Sequence, residues 1–153
     1  MATLYLMQHG EAEPEQADPQ RPLTPSGRAA VERVATRARR AGVRLDLCIH
    51  SGKSRAAQSA ELLAAVMAAQ VEQRDGLAPN DPVGPTAAWL RDIAEPVALV
   101  GHLPFLGKLA SLLVAGNEGA DSVRFTMGGL VCLVPSETAG RFSLAWALPP
   151  DLA

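Results

Sequence analysis

Leu4-Tyr5-Leu6-Met7-Gln8-His9-Gly10-Glu11 orders the rest of the chain. An apolar run ends abruptly in a histidine and a glycine, and the residues after it turn acidic and proline-rich. Such a run, without polar alternation, predicts a strand over residues 3–8 that is covered on both faces and delivers one imidazole to the rim of a sheet. Residues 11–22 hold four acids and three prolines without periodicity and predict a loop.

Working outward, Thr24 is a good N-cap and Pro25 suits a first helical position. A helix is predicted to run to about Ala41, with Val31, Val34, Ala35 and Ala38 inward, Arg33, Arg37 and Arg40 on a solvated face, and Gly42 as the stop. Residues 45–50 predict a second strand, ending in Ser51-Gly52-Lys53-Ser54-Arg55, with a helix after it to about Ala69. Residues 71–74 predict a short strand, 77–85 a loop and 86–94 a short helix. Residues 97–100 predict a third buried strand, ending in Gly101-His102-Leu103-Pro104. The helix beyond it carries Phe105, Leu106, Leu109, Leu112 and Leu113 inward and stops near Gly116. Residues 123–127, 130–135 and 141–147 predict strands with short connections, one or more of them antiparallel at a sheet edge. Strand–helix alternation over the first two thirds implies an α/β layer fold with a mostly parallel sheet.

At 153 residues the chain suits one domain, and 48% apolar against 20% charged residues implies a globular core. A net charge of −2 gives no support to a nucleic-acid or membrane-surface partner. No apolar run reaches the ~18 residues of a membrane span, and Met1-Ala2-Thr3 lacks the basic region of a signal peptide. Cys48 and Cys132 sit in apolar runs, so buried free thiols in a cytoplasmic protein are expected, and no metal site can be built from them.

Three strands thus end in polar punctuation followed by a helix: Gln8-His9-Gly10, His50-Ser51-Gly52 and Gly101-His102. Ligands of open α/β sheets bind outside such strand ends, where helix N-termini add free N–H groups and partial positive charge. Two imidazoles with Arg21 and Arg55 suit a tetrahedral dianion, because guanidinium forks bind phosphate oxygens and histidine can attack phosphorus.

In Gln8-His9-Gly10-Glu11-Ala12, Arg21-Pro22-Leu23-Thr24-Pro25-Ser26-Gly27, Ser51-Gly52-Lys53-Ser54-Arg55-Ala56 and Val100-Gly101-His102-Leu103-Pro104, the chain resembles the histidine phosphatase superfamily. The likeness is greatest to the small SixA-type phosphohistidine phosphatases and covers nearly the whole chain. It implies a three-layer α/β/α, phosphoglycerate-mutase-like domain over residues 1–153, without a large lid insertion. It also implies catalysis by His9 as the phosphorylated nucleophile, His102 as a second imidazole on the transferring group and Arg55 as a phosphate clamp, with Arg21 a further phosphate ligand. No metal or other cofactor is expected. The partner is then a phosphorylated protein or a small phosphorylated molecule.

The resembled family carries arginine directly before the nucleophile; this chain has Gln8. An amide still donates to phosphate oxygens but brings no charge, a difference of roughly 1–3 kcal/mol, or about one to two decades in rate. Lys53, where the family usually has an apolar residue, is either a compensating phosphate ligand or an exposed lysine on a helix's first turn. Glu11, Glu13 and Asp81 are the candidate general acids, and a supporting or core role is expected for His50. The first reading is a metal-independent phosphohistidine phosphatase, since imidazole leaves phosphorus more easily than an alkoxide and needs little acid assistance. The alternatives are a phosphatase of small phosphate esters and, because of Gln8, a weakly active or non-catalytic phosphate-binding module.

Overall fold

A computed structural model describes residues 1–153. Six strands form one sheet: β1 (Leu4–Gln8), β2 (Leu47–His50), β3 (Gln70–Gln73), β4 (Val97–Gly101), β5 (Leu130–Pro135) and β6 (Phe142–Leu148). Four helices connect them: α1 (Pro25–Arg40), α2 (Ser54–Met67), α3 (Gly84–Asp92) and α4 (Phe105–Ala115). The strand order is β3-β2-β4-β1-β5-β6. The first four strands of that order run parallel, and β5 and β6 pair antiparallel at the far edge.

The unbroken apolar character of β1 and β4 has a direct cause in this order. Both lie inside the sheet, and both faces are covered. On one face Leu4, Leu6 and Leu99 pack with Leu90 of α3 and Phe105, Leu106 and Leu109 of α4. On the other, Tyr5, Met7, Ala98 and Val100 pack with Val31, Val34 and Ala35 of α1 and Ala60 and Leu63 of α2. The result is the expected three-layer α/β/α arrangement. A leucine buried as completely as Leu6 contributes roughly 1.5–3 kcal/mol by leaving water.

The local punctuation works as expected at α1. Thr24 accepts from Gly27 N, Pro25 opens the helix, and Arg37, Arg39 and Arg40 occupy the last turn, where cations suit the helix dipole. Arg33, Arg37 and Arg40 are exposed. Cys48 and Cys132 are buried free thiols, and burial pushes them up to about 12 and about 11. No helix is long and apolar enough to cross a membrane.

One expected strand is absent. Residues 123–127 alternate Val123, Phe125 and Met127, yet they take no regular structure. The segment is used to close the end of β1 instead. Gly128, at φ 75°, directs its N–H at the carbonyls of Gln8 (2.9 Å) and His9 (3.1 Å), while Ser122 N–H is taken by the Ser111 hydroxyl. α3 also starts and ends two residues earlier than expected, because Gly84 and Pro85 begin it and Ile93 is already extended.

Candidate active site

The strand order brings the polar strand ends together. β2, β4 and β1 are successive parallel neighbours, so the chain leaves them at one edge of the sheet carrying His50-Ser51, His102 and His9 in that order. His9 and His102 are both buried, with ring centroids 5.2 Å apart and planes tilted by 51°.

His9 is oriented by its own backbone. Its Nδ1 lies 2.7 Å from Gly10 O, and a carbonyl can only accept, so the proton is on Nδ1 and Nε2 keeps its lone pair. Burial lowers the His9 pKa; the bond to Gly10 opposes that shift, while the charges of Arg55 and Arg21 add to it. His9 is therefore a neutral imidazole with one free nitrogen, the form a nucleophile requires.

The turn after His9 is held by close backbone packing. A Cβ on Gly10 would meet Val31 Cγ2 at 2.9 Å and Gly27 O at 3.0 Å. Gly10 N–H donates to the Ser59 hydroxyl at 2.9 Å, and that hydroxyl donates to Arg55 O at 2.7 Å. The turn after His9 and the first turn of α2 are thus tied through one buried serine.

Arg55 is half-buried in the first turn of α2, and its Nε is buried without a hydrogen-bond partner. Burial and the neighbouring Arg21 charge hold its pKa below the ordinary guanidinium value. Arg21 stands at φ 49°, in the left-handed region that a non-glycine residue rarely adopts, and its Nε donates to Glu13 O at 3.1 Å. His102 is pushed down to about 3, by burial first and then by Arg55, His9, Lys53 and Arg21. Its Nδ1 is a second buried atom without a partner. The protein thus gathers positive charge and unpaired polar atoms around two neutral imidazoles. An anion placed among them would offset that unpaired charge.

The remaining candidates divide. Lys53 is exposed at the N-cap of α2, and its ammonium is near enough to His102 to act on that ring's protonation. Gln8 closes β1 on the same sheet face as Leu4 and Leu6; it is half-buried, and no hydrogen bond holds its amide. Glu11 is exposed, and its carboxylate accepts from the Thr24 hydroxyl at 2.8 Å. The Asp81 carboxylate accepts from Ala78 N at 2.9 Å within its own turn. Glu13 meets Arg21 through its backbone carbonyl. His50 uses Nδ1 to accept from Gly52 N at 3.0 Å, shaping the turn that leads to Ser51. Two hydroxyls escaped the sequence reading: Ser59, and Ser51, whose Oγ lies 2.6 Å from His102 Nε2. A lone serine has no periodicity or charge to mark it; only the serine-glycine pair at a strand end gave a hint.

These features bring two neutral imidazoles, two guanidinium groups and two unpartnered polar atoms to one edge of the sheet. Residues 4–80 match the histidine phosphatase superfamily (branch 1). Over 124 residues, 76% of this chain and 75% of the relative, the sequence is 37% identical to an uncharacterised protein of Picosynechococcus sp.. The fold superposes on the protein histidine phosphatase SixA complexed with tungstate with a TM-score of 0.85, at 25% identity and 97% coverage of both chains. It also superposes on a phosphoserine phosphatase of Entamoeba histolytica complexed with 3-phosphoglyceric acid, with a TM-score of 0.73, 17% identity and 97% coverage of both chains. The chain belongs to the histidine phosphatase superfamily and is a SixA-like phosphatase in its minimal form, with no large insertion.

Two expected results follow from this geometry. Gln8→Arg adds a charge at the end of β1 and should raise kcat/KM by about one to two decades. Steady-state kinetics would check it, and an unchanged value would mean either that the Gln8 amide is no phosphate ligand or that Lys53 already meets the charge requirement. The second concerns pH. All three histidines have lowered pKa values, so the unfolded state binds more protons than the native state below the ordinary histidine value of 6.5. Stability is then flat above that value and falls with pH from there toward about 3, the His102 value. Between about pH 7.5 and about pH 5 the loss should be of order 1 kcal/mol, after allowing for solvent screening, read from urea midpoints.

Proposed function

We propose that the protein hydrolyses phosphohistidine on a protein partner, through a covalent phospho-His9 intermediate and without a metal ion. The observation that carries this reading is the pairing of a neutral, singly oriented His9 with two buried unpartnered atoms, Arg55 Nε and His102 Nδ1. In the first step His9 Nε2 attacks phosphorus in line and the N–P bond of the substrate breaks. If the substrate ring is protonated, it leaves as neutral imidazole with the bonding pair and needs no proton from the enzyme. Arg55 and His102, with Arg21, Lys53 and Gln8 around them, hold the three equatorial oxygens. In the second step water attacks the phospho-His9 phosphorus, His9 Nε2 recovers its lone pair, and inorganic phosphate is released.

The choice of substrate rests on the carboxylates. Glu11 is exposed and bonded to Thr24, and Asp81 is committed to its own turn. An alkoxide leaving group calls for a free acid at the site, which leaves Glu13 alone of the three candidates, whereas imidazole calls for none. The structural likeness to SixA, seen with the oxyanion tungstate, supports the same reading.

The test is transfer of labelled phosphate. A phosphohistidine peptide should label the parent on a histidine, in an acid-labile bond, and should leave His9→Ala unlabelled. A parent that binds phosphate but never becomes labelled would reduce the protein to a phosphate-binding module. Faster turnover of sugar or nucleotide phosphates than of the peptide would move the substrate to small esters.

A further inference from the structure

The His102 ring is held through one nitrogen only. Its Nε2 lies 2.6 Å from Ser51 Oγ, while its Nδ1 is buried and has no partner. Two proton arrangements satisfy the short contact. Either Nε2–H donates to the hydroxyl and Nδ1 holds a lone pair, or the hydroxyl donates to Nε2 and the ring proton sits on Nδ1. The neutral state of His102 makes this a real choice, since one ring proton serves two nitrogens.

The surroundings of Ser51 favour the second arrangement. Lys53 N–H faces Ser51 Oγ at 3.4 Å, a long contact that still fills an acceptor position on that oxygen. The hydroxyl hydrogen is then free to point at His102 Nε2, the other polar neighbour of Ser51 Oγ. Chemistry at the far side of the ring agrees. A lone pair on Nδ1 would repel an oxyanion, whereas an N–H there would bind one. The unpartnered Arg55 Nε is likewise a donor without an acceptor, so the two atoms await the same kind of ligand.

We propose that Ser51 is a positioning residue whose hydroxyl, by donating to His102 Nε2, fixes the Nδ1–H tautomer that binds the phosphoryl group. The anion's identity rests on the phosphatase reading above; the tautomer does not. Ser51 would act through His102, and the hydroxyl itself need not touch substrate. The turn that carries it is shaped by the His50 acceptor for Gly52 N and by Gly52 at φ 94°, which gives those two residues their use.

Nitrogen NMR of ¹⁵N-histidine-labelled, ligand-free protein tests the tautomer without reference to turnover. The parent should show His102 with a protonated Nδ1 and an unprotonated Nε2. Ser51→Ala should shift the ring toward the Nε2–H form, weaken binding of inorganic phosphate, and lower kcat by roughly tenfold to a hundredfold. Ser51→Thr, which keeps a hydroxyl, should restore all three. A parent ring protonated on Nε2 would overturn the proposal, as would a Ser51→Ala protein with an unchanged tautomer. A fall in melting temperature alone, with tautomer and phosphate affinity unmoved, would make Ser51 structural and also overturn it. A parent with the Nδ1–H tautomer and no phosphohistidine hydrolysis would instead count against the assigned substrate while sustaining the role of Ser51.

Discussion

Arg55→Met is expected to lose about two to three decades of kcat/KM while folding at least as stably as the parent. Both halves of that result come from the same atoms. The Arg55 guanidinium is partly desolvated, sits near Arg21 and has a buried Nε without a partner. It also places positive charge in the first turn of α2, where the helix dipole is already positive. Each of these opposes folding of the empty protein. Methionine keeps the apolar stem and removes the charge, so stability should hold or rise by about 0–1 kcal/mol. In the proposed mechanism, catalysis depends on that charge. Removing a donor aimed at a transition-state oxygen costs about 10²–10³ in rate. Inorganic phosphate should raise the melting temperature of the parent far more than that of the variant, because only the parent pairs the guanidinium with an anion. Thermal melts with and without phosphate, beside kinetics, check the whole pattern. A variant that keeps its activity but loses stability would place Arg55 in the scaffold.

Gly27→Ala should damage fold and site together. A Cβ there would lie 2.1 Å from Glu11 O, 2.9 Å from Glu11 N and 3.0 Å from Glu11 C, all backbone atoms. Nothing flexible is available to yield. Either the start of α1 tilts away or the chain after His9 moves, and the bonds of Thr24 N to Glu11 O (3.0 Å) and of the Thr24 hydroxyl to the Glu11 carboxylate (2.8 Å) are disturbed. The expected loss is about 2–4 kcal/mol in urea unfolding. Displacing a nucleophile by even ~1 Å can cost about 10² in rate, so labelling of His9 should slow by at least that much. Gly84→Ala is the control. A Cβ there meets nothing within 4 Å, and the change should stay within about 0.5 kcal/mol.

The sequence carried the elements better than their arrangement. Thr24-Pro25 marks the start of α1 because capping is a local matter, settled by a hydroxyl and a fixed φ. His9, Arg55 and His102 stand out because apolar strands ending in charged or titratable residues are locally anomalous. Residues 123–127 were misread because alternation reports the spacing of apolar side chains, not whether a partner strand exists, and Met127 in fact lies exposed. Val123 is indeed buried, but the segment's end is claimed by the carbonyls of Gln8 and His9 through Gly128. Ser51 and Ser59 were missed because a hydroxyl acquires its meaning from partners that lie about fifty residues away. The engagement of the Glu11 and Asp81 carboxylates likewise depends on turns whose geometry no residue pattern announces.

The position of β1 in the sheet has a consequence for biosynthesis. β1 pairs only with β4 and β5, whose residues begin at Val97 and Leu130. A ribosome that has just released β1 must add more than a hundred further residues before both its edges can be covered. Until then an apolar strand with open edges is exposed, a condition that invites association with other chains. Long sequence separation also slows the search for the native pairing. Chains halted before β5 are therefore expected to be clients of chaperones or of proteases, even though they already contain His9, Arg21, Arg55 and His102.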